Sequence, residues 1–244
     1  MARNFTSLFC IFLLFSSQAF SQKYFLASAG ESIFSIGTVS SGSEDIRPVL
    51  RWSPVFNFQE QLHFNFSNSF GLYTGLGLRN VGLISKVDYV FADNPGGPLE
   101  KTATIKERSY SFGMPLLFKL GDMDEGVYFA AGAEAEVMFA YKRKIMEDGT
   151  KLKKSRWFDD NVNIFNPSLM AEVHFPKGQY LRFKYYIKDF LNYQGITLID
   201  GTVLPDYGAE SPLFYIAFGT LSFKKRVDKK PDSTTTETAF FRAE

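Results

Sequence analysis

Apolar and polar side chains alternate along unusually long stretches of this chain, and the longest such stretch is residues 49–67. Apart from Pro54 and Glu60, its even positions from 50 are all apolar, and its odd positions from 51 are polar except for Val55. A period of two places two chemistries on opposite faces of a β-strand. We therefore predict one long strand here, with a local bulge at Pro54, because proline has no backbone N–H for the ladder.

The same period recurs along the chain and predicts an all-β, up-and-down antiparallel arrangement of about eight strands. The predicted strands are residues 32–39, 49–67, 70–83, 110–120, 127–141, 169–175, 180–190 and 213–223. Short turns at 67–69, 122–126 and 176–179 alternate with long polar loops at 40–48, 85–104, 143–163 and 192–212. A ninth or tenth strand stays open, because residues 32–39 and the end of the chain are weakly patterned.

The N-terminus has the pattern of a secretory signal peptide, which we place at residues 1–21. Arg3 precedes the apolar run LFCIFLLF, and Ala19 and Ser21 are spaced as in a signal-peptidase site. The only cysteine, Cys10, lies inside that run. The mature chain would therefore have no disulfides, no thiolate metal ligands and no cysteine nucleophile. We predict a barrel over residues 22–226 and a disordered periplasmic tail over 227–244.

Composition bears on the kind of partner. The chain has 27 basic and 26 acidic residues, a formal net charge of +1, which argues against nucleic-acid binding. The aromatic content indicates the kind of barrel. Aromatic residues make up 17% of the chain, yet the mean hydropathy is −0.10, so apolar and polar residues must be finely interleaved. Long strands with one strongly aromatic face, and glycines on the polar face, favour a closed transmembrane β-barrel with lipid outside and a polar lumen inside.

The chain resembles the small porin-like outer-membrane β-barrel proteins of Bacteroidota, which share the OmpA/OmpX-type architecture. The resemblance rests on VLRWSPVFNF at 49–58, FGLYTGLGLRNVG at 70–82 and LRFKYY at 181–186, and it covers roughly residues 31–224. It implies location in the cell outer membrane and transfers no catalytic motif. Barrels of this family usually end on an aromatic residue that the barrel assembly machinery reads. This chain departs from that pattern, because about twenty residues follow Phe223, which would be that aromatic residue.

The charged residues of the polar face are predicted to neutralise one another in the lumen, because an unpaired buried charge is costly. The predicted lumen network comprises Arg51, Arg79, Glu134, Glu136, Lys142, Glu172, Arg182 and Lys184. His63 and His174, the only histidines, fall on the same face near the short turns, which suits neither a lipid-modifying enzyme nor a metal site. We therefore expect no catalytic residues, no metal and no cofactor.

External contacts are predicted for the loop at 143–163, which combines basic and aromatic side chains. The candidate contact residues are Lys151, Lys153, Lys154, Arg156 and Trp157. Such residues suit lipopolysaccharide phosphates, other outer-membrane lipid or a partner protein of unknown identity. The predicted function is structural or interactive and is carried by the extracellular loops. The alternatives are a narrow passive channel for small solutes and a lipocalin-like soluble carrier.

Overall fold

The computed structural model describes residues 23–40, 45–92 and 95–223. The predicted signal peptide and the predicted tail, 227–244, lie outside the described residues. The strands are β1 (Lys23–Gly37), β2 (Asp45–Val49), β3 (Arg51–Ser53), β4 (Phe58–Asn65), β5 (Phe70–Phe91), β6 (Leu99–Asp122), β7 (Val127–Glu147), β8 (Thr150–Trp157), β9 (Ser168–His174), β10 (Gln179–Tyr186), β11 (Ile196–Thr197), β12 (Val203–Leu204) and β13 (Leu213–Phe223). Within these ranges the only helix is a 3₁₀ turn, Pro176–Gly178.

Eight of the strands form one antiparallel sheet whose pairings return to their starting point. The order is β1, β4, β5, β6, β7, β9, β10 and β13, and β13 pairs again with β1 from Ala27↔Phe223 to Gly37↔Leu213. Each strand of this ring pairs with its neighbours along the chain, as the alternation predicts. The five further strands, β2, β3, β8, β11 and β12, lie outside this ring of eight.

The predicted single strand over 49–67 is wrong, because the chain breaks at the proline. β3 ends at Ser53 and β4 begins at Phe58, and between them Phe56 adopts a left-handed conformation with φ 62°. Proline cannot donate to the ladder. A bulge was predicted at this position, but the interruption is larger and lets the chain shift from one pairing on β1 to the next.

Two of the predicted long loops are in large part strand, and a third contains one. β5 and β6 extend through the segment predicted as a loop at 85–104, and β7 and β8 form a hairpin through 143–163. β2 lies in the predicted loop 40–48 and pairs with β5. These extensions continue the sheet as paired strands beyond the part of the ring whose outer face is apolar.

The distribution of burial is the reverse of that in a soluble protein. Large apolar side chains such as Phe118 and Phe183 are 53% and 44% exposed, whereas Arg79 and Arg182 are fully buried. Along β6 the buried and exposed positions alternate almost without exception from Ala103 to Leu120. One face of the ring is thus apolar and open, and the other is ionic and closed.

Candidate functional site

Buried ionic side chains from β5, β7 and β10 meet inside the ring around Glu134. Arg79 Nη1 donates to Glu134 Oε1 at 2.6 Å. Lys184 Nζ donates to Glu134 Oε2 at 2.5 Å and to Glu136 Oε2 at 2.6 Å. Because β5, β7 and β10 are not adjacent in the sheet, these contacts cross the interior and tie opposite walls together.

Arg182 organises the second half of the same network. Its Nε donates to Glu172 Oε1 at 2.6 Å, and its Nη1 contacts a carboxylate oxygen of Glu31. Gln59 Oε1 accepts hydrogen bonds at 2.8 Å from both Arg182 and Arg79, which joins the two halves. Paired and hydrogen-bonded charges of this kind avoid the large cost of isolated buried ions.

The structure brings six of the eight predicted lumen residues into this network: Arg79, Glu134, Glu136, Glu172, Arg182 and Lys184. Arg51 is buried but lies apart from it, and its guanidinium donates to Asn80 Oδ1 at 2.6 Å and to the Asn80 carbonyl at 3.1 Å. Arg51 therefore fixes the strand break to β5 and does not neutralise a carboxylate of the network.

The prediction for Lys142 is wrong because a β-bulge on β7 reverses the alternation. Tyr110 pairs with Ala140, but the next residue of β6, Ser111, pairs with Met138, so Phe139 is the extra residue. Beyond the bulge the odd positions face inward. Arg143 consequently takes the interior position, and Lys142 is on the outer face, opposite Arg108.

Sequence reasoning missed two members of the network, Glu31 and Gln59. Glu31 lies on β1, one residue before the strand predicted at 32–39. The odd positions of β1 from Ala27 to Ser35 are all buried. These residues are small, acidic or apolar, so they do not form a recognisable polar face. The small residues at alternate positions are the feature that could have extended the predicted strand toward the N-terminus.

Both histidines are buried at the short-turn end and are held by neighbours there. His63 Nε2 lies 2.8 Å from Gln61 Oε1, and Lys119 Nζ lies 3.2 Å from His63 Nδ1. His174 bonds Glu172 at 2.7 Å and stacks on Tyr128 at 4.1 Å. Within the described residues, no group of three or more His, Cys, Asp or Glu side chains has the geometry of a metal site.

At the opposite end of the ring, Glu107 collects hydrogen bonds from several elements. Its Oε1 accepts from the hydroxyls of Tyr141 at 2.6 Å and Tyr193 at 2.7 Å and from Arg143 Nε at 3.0 Å. Tyr207 donates to Oε2 at 3.3 Å. Tyr193 and Tyr207 belong to the segment 192–212, so the Glu107 carboxylate anchors that segment over this end of the ring, which we call the mouth.

The segment 192–212, which we name the cap, is packed by an apolar core of its own. The cap was predicted as a polar loop, but Leu198, Leu204 and Tyr207 are almost fully buried. Its two short strands, β11 and β12, pair with each other. The inner faces of the strand extensions supply the other side of this core through residues that include Val87, Ala103, Ile105 and Ile145.

Asp200 is the polar anchor at the far edge of the cap. It accepts hydrogen bonds from the Thr202 amide at 3.1 Å, from the Tyr89 hydroxyl at 2.9 Å and from Lys101 Nζ at 3.3 Å. Burial acts to raise the pKa of Asp200, but these hydrogen bonds outweigh it and lower the pKa to about 2. Asp200 therefore stays ionised at neutral pH and holds the cap to β5 and β6.

The five candidate contact residues lie on β8, which pairs with β7 and is exposed along most of its length. Part of the predicted polar loop is thus the second strand of a hairpin, because Asp148 and Gly149 adopt positive φ and form a tight turn. Trp157 is 72% exposed, and its ring stacks on Phe139 at 5.7 Å. Lys151, Lys153 and Trp157 share the outer face, whereas Lys154 and Arg156 are on the opposite one.

Among the described residues, no helix has the length and apolarity needed to cross a bilayer.

No protein-family model matches this chain, and no curated protein matches it either. Among solved structures it is similar to the crystal structure of Ail, the attachment invasion locus protein of Yersinia pestis, with 13% identity and a TM-score of 0.32 over 81% of this chain and 99% of Ail. A second structure, Ail in complex with the heparin analogue sucrose octasulfate, gives 12% identity and a TM-score of 0.34 over 82% and 98%. At such scores no residue role passes from Ail to this chain.

Proposed function

We propose that this chain is an integral outer-membrane protein whose eight paired strands close as an up-and-down transmembrane β-barrel. The carrying observation is the reversal of burial, with ionic side chains inside and large apolar ones exposed. A bilayer removes the cost of such exposure and requires every strand edge to be paired. The return pairing of β13 to β1 supports closure, and the signal-like residues 1–21 support export.

The height of the apolar wall fits a bilayer. On β6 all six outward residues in the eleven-residue stretch from Tyr110 to Leu120 are apolar or aromatic. At about 3.4 Å per residue and a tilt of about 40°, this stretch rises roughly 25 Å, the height of the apolar band on outer-membrane barrels. Before Tyr110 the outward residues become charged and polar, with Arg108, Lys106 and Thr104.

The interior favours a sealed barrel over a channel or an enzyme. The network around Glu134 and Arg182 crosses the lumen, and the cap packs across the mouth. A soluble carrier of the lipocalin type would need an apolar interior, which is the opposite of this arrangement. We therefore propose a non-catalytic role in which the exposed strand extensions, above all the β7–β8 hairpin, present surfaces to outer-membrane lipid, lipopolysaccharide or a protein partner.

Assembly also follows from this proposal. β13 ends at Phe223, whose ring is half exposed at the short-turn end. We propose that the barrel assembly machinery reads this exposed aromatic residue at the end of the last described strand.

Membrane extraction and planar-bilayer recording test this function together. We expect the mature chain to stay in the membrane fraction after alkaline carbonate and to be released only by detergent, because its exposed wall needs an apolar solvent. We further expect no conductance steps after reconstitution. Release without detergent would contradict the membrane assignment, and regular unitary conductance would contradict the sealed lumen.

A further inference from the structure

A row of aromatic rings crosses the outer face of the sheet where the apolar wall ends. Phe56, in the break between β3 and β4, lies 6.1 Å from Tyr110 on β6, edge to face. Tyr110 is 6.4 Å from Phe139 on β7, and Phe139 is 5.7 Å from Trp157 on β8. Aromatic residues collect at the level of the lipid headgroups in membrane barrels. This row therefore marks the upper interface of the proposed bilayer.

Two rows of cations lie directly beyond the aromatic rings on the same face. Lys106 of β6 is opposite Lys144 of β7, which is opposite Lys153 of β8, and in the next row Arg108 is opposite Lys142. Residues in register on neighbouring strands share a face, with their Cβ atoms about 5 Å apart. We name these five residues the basic patch.

Like charges that are directly opposite one another destabilise a sheet. In the described parts of the chain none of the five cations has a salt bridge, and the nearby carboxylate of Glu107 is buried and already paired with Arg143. Partial burial, together with Lys151, Lys106, Lys153 and Arg108, lowers the pKa of Lys144. The sheet alone offers no compensation for this concentration of positive charge.

The patch borders a cleft large enough for a headgroup. The cleft holds about 630 Å³, and its lining includes Trp52 and all five cations of the patch. Pro54 and Val55, in the strand break, also line it, so that the break places an apolar wall against the cations. A ligand in this cleft meets several cations and some apolar surface, and the one carboxylate in the lining, Glu107, is already paired with Arg143.

We propose that the basic patch binds the phosphate groups of a phosphorylated outer-leaflet lipid, with its acyl chains passing over the aromatic row onto the apolar wall below. The height of the patch relative to the aromatic row favours a lipid over a soluble polyanion as the ligand. Arg108 is two residues from Tyr110, about 7 Å along the strand, so phosphates at the patch are at headgroup level. This inference rests on the proposed membrane barrel and gives it a specific ligand class.

The experiment compares two double variants of the full mature chain in non-ionic detergent. K144Q/K153Q removes two cations of the patch, and the control K177Q/K188Q removes two exposed lysines elsewhere. Native mass spectrometry measures binding of diphosphoryl lipid A, monophosphoryl lipid A and phosphatidylcholine. We expect the unmodified chain to bind in that order of decreasing affinity, and K144Q/K153Q to lose about tenfold for diphosphoryl lipid A. The control should change less than twofold.

Three outcomes would overturn the inference. These are equal binding of the three lipids, equal losses in the two double variants, and displacement of the lipid by inorganic pyrophosphate at millimolar concentration, which would assign the patch to free anions. All three leave the membrane barrel intact. A chain that needs no detergent would instead fail the proposed function before any titration is made.

Discussion

Leu116→Arg is expected to lower the free energy of unfolding in phosphatidylcholine vesicles by about 2–4 kcal/mol, because it places a cation near the middle of the wall that we propose faces lipid. Leu116 points outward from β6 and is 50% exposed. In a water-soluble barrel the same exposed substitution would be nearly neutral. The measurement is reversible urea unfolding in vesicles, followed by tryptophan fluorescence.

The matched control is Thr104→Arg, on the same strand and the same face but beyond the apolar stretch. It should change the unfolding free energy by less than about 1 kcal/mol, because arginine there reaches water or headgroups. A difference between the two variants gives the depth dependence that lipid imposes. Equal small effects at both positions would mean that the exposed apolar wall does not face hydrocarbon.

Arg182→Met is expected to cost about 3–5 kcal/mol, because it removes the guanidinium shared by two buried carboxylates. Glu31 then keeps only its longer contact with Arg79, at 3.6 Å, and Glu172 keeps no guanidinium partner. Arg182 is fully buried and contacts Glu31, Glu172 and Gln59. No nearby cation can replace all three contacts. The same vesicle unfolding experiment measures the loss.

Arg156→Met serves as the control, since Arg156 is exposed on β8 and its removal should be nearly neutral. Arg182→Lys keeps the charge but not the guanidinium fork, so its cost should be intermediate. This lysine variant also keeps the test informative if Arg182→Met does not fold. Equal stability of the Arg182 and Arg156 variants would show that the lumen charges are not mutually dependent.

The sequence predicts the two faces of the ring well where apolar and polar residues alternate strictly. On β6 and β10 this alternation places Phe118, Phe183, Arg182 and Lys184 on the faces where the structure has them. The alternation cannot locate the bulge on β7, because the five residues from Val137 to Tyr141 are all apolar or aromatic. Such a run does not show which residues face inward and which face outward. Lys142 was therefore predicted on the inner face, because the bulge that places it on the outer face leaves no mark in the sequence pattern.

The strand extensions were read as loops for a different reason. Beyond the apolar wall the apolar side chains face inward and the polar ones face outward: Ala103 and Ile105 are buried, while Thr104 and Lys106 point out. An alternation rule tuned to an apolar outer face treats such a segment as polar loop. The cap is also beyond local sequence reasoning, because its core is completed by distant strands and by Glu107.

The break at Pro54 illustrates how far a local rule extends. Proline predicts that the ladder is interrupted, and the interruption is present. Its size depends on the pairing of β3 and β4 with β1 and on the contact between Phe56 and Tyr110. Neither is encoded in the residues next to the proline.

The most direct test of the central claim is a single-cysteine spin-label scan along β6 in vesicles, which the absence of cysteine after Cys10 makes simple. Collisions with dissolved oxygen report hydrocarbon, and collisions with a water-soluble nickel chelate report water. We predict oxygen access at even positions from 110 to 120, nickel access at even positions from 100 to 108, and little of either at the buried odd positions. Nickel access at 114, 116 and 118 equal to that at 104 would contradict the account.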